Sequence, residues 1–495
     1  MMTSTAGPLA QPLRDSFKAA GQEQVFTFWD QLASQEQQAL YEQVKELDVA
    51  HINHVCQKAL AKLAEGEAAA TIDPLPAESV GSTLTASSDQ QATWFRQGLA
   101  LIAQGKVAVI LMAGGQGTRL GSALPKGCYD INLLSHSSLF KLQAQRILRL
   151  QTLAAQTFPE HASTAVIPWA IMTSAPTRAN TVAHFEEHGY FGLDPANVIF
   201  FNQGTLPCLT MDGKIMLETK SKVAEAPDGN GGIYPALHKQ KVIADLRQRG
   251  VQYVHSYCVD NCMVRVADPV FIAYCVAKDA ECGAKVVPKA AWDEPVGVIC
   301  LKNKRFAVVE YSEISTEMAQ LTRGQGENKQ LVYGAGNICN HFYTLDFLDK
   351  IPQLAENLEH HIAKKKIKHV DLATGEQVAP TKPNGIKLEQ FVFDVFPLTD
   401  RLAVFEVSRA DEFSPLKNAP GAGADCPETS CRDLFNQHIR FAQEAGANVV
   451  KGPKDSAPEG ELSFEISPLV TYGGEGLEFM NGRELTTPLL VEKPL

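Results

Sequence analysis

The chain has 495 residues, of which 45% are hydrophobic and 20% are charged, so it is long enough to bury the cores of about two or three domains. Its 45 Lys and Arg against 56 Asp and Glu give a net charge of -11, which excludes general nucleic-acid binding and leaves any polyanion site to local cations. No segment reaches the roughly 18 uninterrupted apolar residues of a membrane span, and the N-terminus lacks a basic region followed by an apolar one, so we expect a cytoplasmic protein without membrane contact.

The chain order predicts three parts. Residues 14–65 place apolar side chains at helical spacing, and residues 65–91 lose this periodicity and collect Pro, Gly, Ser and Thr. Residues 1–91 are therefore predicted to form a helical N-terminal lobe and an extended surface linker. Residues 92–436 form the predicted catalytic domain, and residues 437–495 form a small β-rich C-terminal lobe. The eleven cysteines show no paired C-x-x-C spacing, which favours reduced thiols over a metal site.

The middle part alternates apolar strands with helices. This alternation predicts an α/β fold with a Rossmann-like, mixed and mostly parallel sheet, which binds ligands at the carboxyl ends of its strands. Residues 296–311 have the pattern of a hairpin, so antiparallel strands are expected there. The predicted strands are 107–112, 170–174, 197–201 and 253–259, and the predicted helices are 137–154, a segment ending at Gly189, and 233–249.

A glycine-rich segment, LMAGGQGTRLGSALPK (Leu111–Lys126), follows the first strand. We call residues 113–121 the first glycine loop. Its first three glycines allow positive φ and close backbone approach, so N–H groups can face phosphate oxygens. Arg119 offers a planar fork of donors and Lys126 a compact charge, and together they can hold two successive phosphates. A glycine-rich turn can also be only a tight connection. The three glycines are Gly114, Gly115 and Gly117.

The loop departs from the Walker pattern and from the dinucleotide fingerprint G-x-G-x-x-G. It resembles the signature of the nucleotide-sugar pyrophosphorylases, and AGGQGTRLG followed by PKG is similar to the UDP-N-acetylhexosamine branch of eukaryotic type. The resemblance runs from roughly Lys106 to Gly476 and implies a nucleotidyltransferase core of the GT-A-like kind.

A second glycine-rich segment, APDGNGGIY, occupies Ala226–Tyr234. We call residues 226–232 the second glycine loop. Its Asp228 and Asn230 suit a uracil edge and sugar hydroxyls, although a helix cap explains either residue taken singly. Pro235 is tolerated only in a first helical turn, so the next helix is predicted to start at Ile233 or Tyr234.

The strand YCVDN ends in Asp260. Mg²⁺ is usually held by one or two carboxylates plus substrate phosphates, so this acid is a reasonable anchor. A lone Asp after a strand is more often a turn former or helix cap. The resemblance implies the metal role for Asp260, with Mn²⁺ as an alternative ion.

The resemblance also assigns residues to the substrates. Taken singly, the sugar candidates outside the second glycine loop are more often ordinary turn or strand-edge residues, and residues 391–396 (FVFDVF) are predicted by themselves to be a buried strand. Lys417 would by itself be a solvated lysine, whereas the family implies a ligand for the sugar's phosphate. The nucleotide candidates are Met112, Ala113, Gly114, Gly115, Gln203, Pro227 and Gly229, and the sugar candidates are Asp228, Asn230, Gly297, Glu310, Asn337, Phe391 and Phe393.

The resemblance implies transfer of a uridylyl group from UTP to N-acetylglucosamine 1-phosphate, giving UDP-N-acetylglucosamine and pyrophosphate, with N-acetylgalactosamine 1-phosphate as a further substrate. The sugar phosphate is already ionised, so catalysis needs positioning and charge stabilisation by Arg119, Lys126 and Lys417 rather than a general base. Two alternatives stay open: a UDP-glucose or broad-specificity UDP-sugar pyrophosphorylase, and a catalytically silent sugar-nucleotide sensor. We expect a monomer or a weak homodimer.

Overall fold

The computed structural model describes residues 6–65, 70–324, 326, 329–354 and 358–493. The chain is divided into two units, each assembled from separated segments. Unit 1 contains the described residues up to Ala70 together with 203–233 and 354–394, and unit 2 contains residues 71–202, 234–353 and those from 395 onward.

Helices and strands alternate through most of the chain. The helices are α1 Ala6–Ala19, α2 Ser34–Val44, α3 Val49–Glu65, α4 Ser88–Ala103, α5 Leu139–Thr157, α6 Ala175–Glu187, α7 Ile233–Lys239, α8 Val242–Gln248, α9 Pro269–Ala277, α10 Thr316–Ala319, α11 Leu345–Leu354, α12 Arg409–Glu412 and α13 Pro427–Glu444. The strands are β1 Ile72–Asp73, β2 Val80–Ser82, β3 Val107–Met112, β4 Trp169–Thr173, β5 Val198–Asn202, β6 Thr205–Pro207, β7 Leu209–Thr210, β8 Leu217–Thr219, β9 Lys222–Val223, β10 Glu225–Pro227, β11 Tyr253–Cys258, β12 Cys282–Pro288, β13 Val298–Lys302, β14 Arg305–Val309, β15 Thr322–Arg323, β16 Gln330–Leu331, β17 Ala335–Thr344, β18 His361–Lys365, β19 His369–Val370, β20 Gln377–Val378, β21 Gly385–Glu389, β22 Leu402–Glu406, β23 Asn448–Lys451, β24 Phe464–Ile466, β25 Glu484–Thr487 and β26 Leu489–Val491.

An eleven-stranded sheet forms the centre of unit 2. Eight strands follow the order β2-β22-β12-β17-β11-β3-β4-β5, and β13, which also pairs with β1 and β14, attaches to β17. Along the main path β17 is antiparallel to both neighbours and the other pairs are parallel. Every residue of β3 is buried, as its unbroken apolar sequence requires in a sheet covered on both faces. The predicted mixed, mostly parallel sheet is confirmed.

Most predicted elements occur where the apolar pattern placed them. The four predicted strands are β3, β4, β5 and β11, and the predicted hairpin is the antiparallel pair β13 and β14. The single helix predicted over 233–249 is wrong, because the chain forms α7 and α8, separated at Lys241 by a left-handed residue (φ 61°). The start at Ile233 is as predicted.

Unit 1 is built around the N-terminal helices. The apolar faces of α1, α2 and α3 share one buried cluster with side chains of residues 209–223 and 370–388. The N-terminal helices therefore do not form a core from residues 1–91 alone, because later segments of the chain complete it. The unit divisions accordingly differ from the three consecutive parts predicted from the sequence.

The two predicted boundaries of the catalytic domain lie inside helices. The 91/92 boundary is within α4, and the 436/437 boundary is within α13. The predicted surface linker also joins the sheet, since β1 pairs with β13 and β2 pairs with β22.

The C-terminal residues of unit 2 have an apolar cluster that runs from Phe441 to Val491. Their strands form two parallel pairs, β23 with β25 and β24 with β26. All eleven cysteines of the chain are free thiols, as predicted. None of the helices in the described ranges combines the length and the apolar sequence needed to cross a bilayer.

Candidate active site

The first glycine loop leaves the sheet at the carboxyl end of β3. The N–H of Ala113 donates to the carbonyl of Met172 in β4 (2.9 Å), and the hydroxyl of Ser174 donates to the carbonyl of Gly114 (2.8 Å). These bonds fix the start of the loop at the edge where β3 and β4 end, which is the edge at which parallel sheets bind ligands.

The loop is part of a turn that returns to Lys126. The N–H of Lys126 donates to the carbonyl of Gly115 (3.3 Å), and the N–H of Gly117 donates to that of Leu124 (3.1 Å). Gly115 is exposed, and a Cβ on it would meet no atom within 4 Å. The positive φ expected at the first three glycines is not found: Gly117 has φ -77°, and the left-handed residue is Gly121 (φ 72°). Open space, rather than an unusual dihedral angle, distinguishes Gly115, whereas a Cβ on Gly117 would overlap the Leu124 carbonyl.

Three of the four predicted charged residues are joined through the backbone of Leu416. The Lys126 Nζ donates to the Leu416 carbonyl (3.0 Å), and the Leu416 N–H donates to the Asp260 carbonyl (2.8 Å). Lys417 follows directly, is exposed, and donates its own N–H to the carbonyl of Asp425 (2.7 Å). The structure therefore brings Lys126, Asp260 and Lys417 to one place at the end of β11.

Asn261 holds this junction together and was not predicted to do so. It is 4% exposed; its Nδ2 donates to the Glu412 carbonyl (2.7 Å), and its Oδ1 accepts from the N–H groups of Met263 (3.2 Å) and Ser414 (3.1 Å). A side-chain amide can do both because it carries donors and an acceptor. It ties the segment that leads to Lys417 to the end of β11. The only sequence signal was a polar residue directly after the predicted metal ligand.

A buried ion cluster anchors the same segment from within unit 2. Lys285 is 0% exposed and forms ion pairs with Asp268 (2.5 Å) and with Glu412. Arg265 lies 3.9 Å from Glu412. Burial raises the pKa of Asp268, but the charges of Lys285 and Arg265 outweigh this and hold it below its usual value. Paired buried charges of this kind fix geometry, because breaking one pair leaves the other charge unpaired.

Arg119 is not brought into contact with the other three charged residues. It lies on the short helical turn Thr118–Leu120, which buried Leu120 anchors, and its side chain is exposed. Within the described ranges its guanidinium has no hydrogen-bond or ion-pair partner. Its five donors are therefore free to meet a ligand.

The donor set around Asp260 fits a metal held mainly by its substrate. The Asp260 carboxylate has no hydrogen-bond donor or cation partner in the part of the chain that the structure describes. The same residues contain no group of three or more His, Cys, Asp or Glu side chains arranged to hold an ion. A single free carboxylate suits Mg²⁺, which keeps waters and takes phosphate oxygens, and does not suit an all-protein cage.

Three sugar candidates of unit 2 converge at the β13–β14 hairpin. Pairing of Val298 with Val309 places Gly297 beside Glu310, whose Oε1 lies 3.1 Å from where a Cβ of Gly297 would stand. The N–H of Asn337, in β17, donates to the Gly297 carbonyl (2.9 Å). Asn337 is 9% exposed, so its amide is largely enclosed by the protein.

The second glycine loop, in unit 1, packs on the backbone of Gln390. The N–H of Gly231 donates to the Gln390 carbonyl (2.8 Å), and the N–H of Gln390 donates to the Asp228 carbonyl (2.8 Å). A Cβ on Gly229 would overlap the Gln390 backbone, and a Cβ on Gly232 would overlap the Asp228 carboxylate. The fold itself therefore requires glycine at these positions.

The polar side chains around the second glycine loop already hold protein atoms. The Nε2 of Gln203 donates to the Gly229 carbonyl, and the Oδ1 of Asn230 accepts from the N–H of Val392 (2.9 Å). Pro227 is exposed at the end of β10. The structure thus brings the nucleotide and sugar candidates of unit 1 together, while one polar atom of each amide is used for positioning.

Asp228 is a buried acid within this group. It is 8% exposed, and its Oδ1 has no hydrogen-bond partner among the described residues. Burial raises the pKa of Asp228 to about 6, although a hydrogen bond from Gln203 opposes the shift. Its carboxylate lies against Gly204 and Gly232. A contact with the sugar stays a prediction.

The strand predicted over residues 391–396 is wrong. The segment is a turn in which the N–H of Phe391 donates to Asp394 Oδ2 (2.7 Å) and the N–H of Asp394 donates back to the Phe391 carbonyl (3.0 Å). The carboxylate in the middle of the apolar run makes this turn. The Phe391 ring stacks on His361 with centroids 4.4 Å apart and lies 5.3 Å from the Phe393 ring, so the two acyl-pocket candidates are neighbours.

The predicted site residues divide between the units. Unit 2 contains Met112, Ala113, Gly114, Gly115, Arg119, Lys126, Asp260, Gly297, Glu310, Asn337 and Lys417, and unit 1 contains Gln203, Pro227, Asp228, Gly229, Asn230, Phe391 and Phe393.

A family model described as UTP–glucose-1-phosphate uridylyltransferase matches residues 50–447 of the chain. The chain belongs to this family. It is 46% identical over 499 residues to UDP-N-acetylhexosamine pyrophosphorylase-like protein 1 of Homo sapiens, an alignment that covers 98% of this chain and 97% of the relative. It is 43% identical over 479 residues to UDP-N-acetylglucosamine pyrophosphorylase of Saccharomyces cerevisiae, covering 94% of this chain and 96% of the relative.

Solved structures of family members show the same architecture. The uridine diphosphate N-acetylglucosamine pyrophosphorylase of Trypanosoma brucei matches with a TM-score of 0.81 and 27% identity, covering 100% of this chain and 99% of that one. A putative UDP-N-acetylglucosamine pyrophosphorylase of Entamoeba histolytica matches with a TM-score of 0.74 and 34% identity, covering 85% and 100%. The predicted nucleotidyltransferase fold and the resemblance to UDP-N-acetylhexosamine pyrophosphorylases are confirmed.

Proposed function

We propose that the chain transfers the uridylyl group of UTP to N-acetylglucosamine 1-phosphate. A phosphate oxygen of the sugar attacks the α-phosphorus of UTP, the bond from that phosphorus to the bridging oxygen breaks, and pyrophosphate leaves with the electron pair. The attacking oxygen is already ionised, so no general base is needed. The junction of Lys126, Asp260 and Lys417 at the end of β11 carries this proposal. These two lysines and one aspartate meet at the backbone of Leu416, and the N–H of Lys126 bonds the open glycine loop at Gly115.

Each charged residue has a distinct role in the proposal. Lys126 and Arg119 bind the triphosphate and stabilise charge that develops on the departing pyrophosphate. Lys417 orients the attacking phosphate. Asp260, together with the phosphates, would hold Mg²⁺ or Mn²⁺, and the bound ion would neutralise part of the phosphate charge.

The names of the curated relatives favour the amino sugar as the acceptor. We assign Gln203, Pro227 and Gly229 to the uridine. We assign Asp228 and Asn230 to the amino sugar, and Phe391 and Phe393 to its acyl group. N-acetylgalactosamine 1-phosphate, which differs from the first substrate in the configuration of one hydroxyl, is the second acceptor that we expect. These assignments are predictions that substrate comparison can test.

Pyrophosphate release from UTP with a panel of sugar 1-phosphates tests the function. We expect the highest kcat/KM with N-acetylglucosamine 1-phosphate, because a site built to pair with an acetamide leaves polar groups unpaired when that group is missing. An equal or higher kcat/KM with glucose 1-phosphate would make the chain a broad-specificity UDP-sugar pyrophosphorylase. Binding of UTP without pyrophosphate release in the presence of any of the sugar 1-phosphates would make it a sensor.

A further inference from the structure

A chain of buried hydrogen bonds along β17 fixes the orientation of the Asn337 side chain. The amide oxygen and nitrogen of an asparagine are distinguished by their partners. The backbone N–H of Cys339 lies 3.1 Å from the Asn337 Oδ1. Because a backbone N–H can only donate, the atom that it contacts must be the oxygen. The Asn337 amide therefore has a defined orientation.

His341 contacts the same oxygen. It is 0% exposed, and its Nε2 lies 3.3 Å from the Asn337 Oδ1. Since the amide oxygen only accepts, the Nε2 of His341 must carry the proton. Burial lowers the pKa of His341 to about 3, so the ring holds a single proton near neutral pH. Its Nδ1 is then an acceptor.

Two tyrosines complete the chain behind His341. The Tyr343 hydroxyl lies 3.1 Å from the His341 Nδ1 and therefore donates to it. The Tyr234 hydroxyl lies 2.9 Å from that of Tyr343, whose proton is already committed, so Tyr234 is the donor in this pair. Both tyrosines are at most 3% exposed. Each hydrogen bond in this series from Tyr234 to Asn337 is therefore donated in the direction of Asn337.

This orientation of the Asn337 amide leaves its nitrogen, Nδ2, on the side away from the His341 donor. Two protein donors, from Cys339 and His341, occupy the Asn337 Oδ1. Among the described residues, the Nδ2 has only a weak contact, with the Cys339 Sγ at 3.8 Å. The N–H of Asn337 also bonds Gly297, beside which Glu310 lies, and these are the other sugar candidates of unit 2. An amide held in this way can offer its NH₂ group to a ligand and cannot offer its oxygen.

We propose that His341 is a positioning residue for the sugar: it holds the Asn337 amide so that the NH₂ group donates to an acceptor oxygen of the amino sugar. The inference rests on the proposed function. The acceptor is the acetamide carbonyl or a ring hydroxyl, both of which accept hydrogen bonds.

The tautomer can be measured without any activity. In the wild-type protein labelled with ¹⁵N-histidine, the ring nitrogens of His341 are expected to show a protonated Nε2 and an unprotonated Nδ1 at neutral pH. Loss of one resonance pair in His341→Gln assigns the signal. A protonated Nδ1 would overturn the proposal, whatever the enzyme assays show.

Kinetics then test the positioning role. His341→Phe removes the donor to Asn337, and we expect the KM for N-acetylglucosamine 1-phosphate to rise about tenfold while the KM for UTP stays within about twofold. His341→Gln should restore the wild-type KM, because the Gln Nε2 can donate while its Oε1 accepts from Tyr343. His255→Phe is the matched control, since His255 is a buried histidine of neighbouring β11 that bonds Asn340 and the N–H of Ala267 instead.

The outcomes separate the inference from the function on which it rests. A rise in KM only with N-acetylglucosamine 1-phosphate identifies the acetamide as acceptor, and an equal rise with glucose 1-phosphate identifies a ring hydroxyl. Unchanged KM values in His341→Phe, or equal changes in His255→Phe, would overturn the inference. A wild-type enzyme inactive with every sugar would instead overturn the proposed function, and the tautomer measurement would still stand. If His341→Phe does not fold, a protonated Nε2 together with a wild-type KM in His341→Gln supports the inference. A protonated Nδ1, or a raised KM in His341→Gln, would then overturn it.

Discussion

The two glycine loops look alike in the sequence and differ in what surrounds their glycines. Beside Gly115 of the first loop there is open space, whereas the Gln390 backbone and the Asp228 carboxylate fill the space beside Gly231 and Gly232 of the second. The first loop also leads to cations with exposed or weakly held side chains. Gly115 therefore leaves room for a ligand, while Gly231 and Gly232, like Gly117 of the first loop, let the protein pack on itself.

Removing the lysine that follows the first glycine loop should lower the activity and leave the stability unchanged. For Lys126→Ala we expect kcat to fall on the order of a hundredfold, because a fixed charge that stabilises the departing phosphates is lost. The melting temperature should stay unchanged, because the Lys126 side chain makes one hydrogen bond with the described residues, at the edge of the sheet. Lys454→Ala, at an exposed lysine far along the chain, is the control. Activity within about twofold of wild type would remove Lys126 from the mechanism.

Asp260 tests whether the same region holds a metal. We expect EDTA-treated enzyme to be inactive until Mg²⁺ or Mn²⁺ is added, and Asp260→Asn to need on the order of tenfold more Mg²⁺ for half-maximal activity, because a neutral amide binds the ion less well. UTP binding measured without metal should change little. Full activity after EDTA treatment, or an unchanged Mg²⁺ titration, would show that Asp260 has another role.

A substitution of glycine in the second glycine loop should lower the stability of the protein. In Gly232→Ala the new Cβ overlaps the Asp228 carboxylate, so we expect the free energy of unfolding to fall by about 3 kcal/mol, at the upper end of overpacking costs. Urea denaturation measures this directly. Gly250→Ala provides a reference for glycine replacement, since a Cβ there would meet nothing within 4 Å although its φ of 84° adds strain. A Gly232→Ala protein as stable as wild type would show that the loop is not closely packed.

The smallest expected effect is a pH dependence of stability. The pKa of Asp228, raised by burial to about 6 from 3.8, means that folding favours the protonated acid. The folded state then binds more protons than the unfolded state between these values, so this residue's contribution to stability falls as pH rises through that window. The free energy of unfolding of Asp228→Asn, relative to that of wild type, should therefore rise by on the order of 1–3 kcal/mol between pH 4 and pH 7.5. A constant difference between the two proteins would show that Asp228 ionises normally.

Long apolar strands and single charged residues after them were predictable from the sequence. The pattern of β3 depends on burial of every side chain, and Asp260 and Lys126 stand next to recognisable breaks in apolar runs. The helix break at Lys241 was not predictable, because a lysine rarely adopts a left-handed conformation and nothing in its neighbours requires it. The turn at residues 391–396 depends on one carboxylate capping the N–H of Phe391, a contact that an apolar pattern does not reveal.

Residues that position others were the least predictable part of the site. Asn261 acts through groups that are distant in the sequence, such as the N–H of Ser414, and these partners are known only once the fold brings them together. The partners of His341, Asn337 and Tyr343, lie on the same strand, but the direction of their hydrogen bonds depends on the buried geometry. The set of segments that form unit 1 could not be predicted from the sequence either, because α1 to α3 complete their core with segments from two other parts of the chain.

Gly115→Ala shows whether the first glycine loop leaves room for a nucleotide, through kcat/KM for UTP and the free energy of unfolding measured on the same protein. If the space beside Gly115 is for the phosphates of a nucleotide, kcat/KM should fall at least about tenfold because the methyl group displaces them. The free energy of unfolding should stay within about 0.5 kcal/mol of wild type, since the methyl group meets no protein atom. Unchanged kcat/KM, or a loss of activity that follows a loss of stability, would contradict the account.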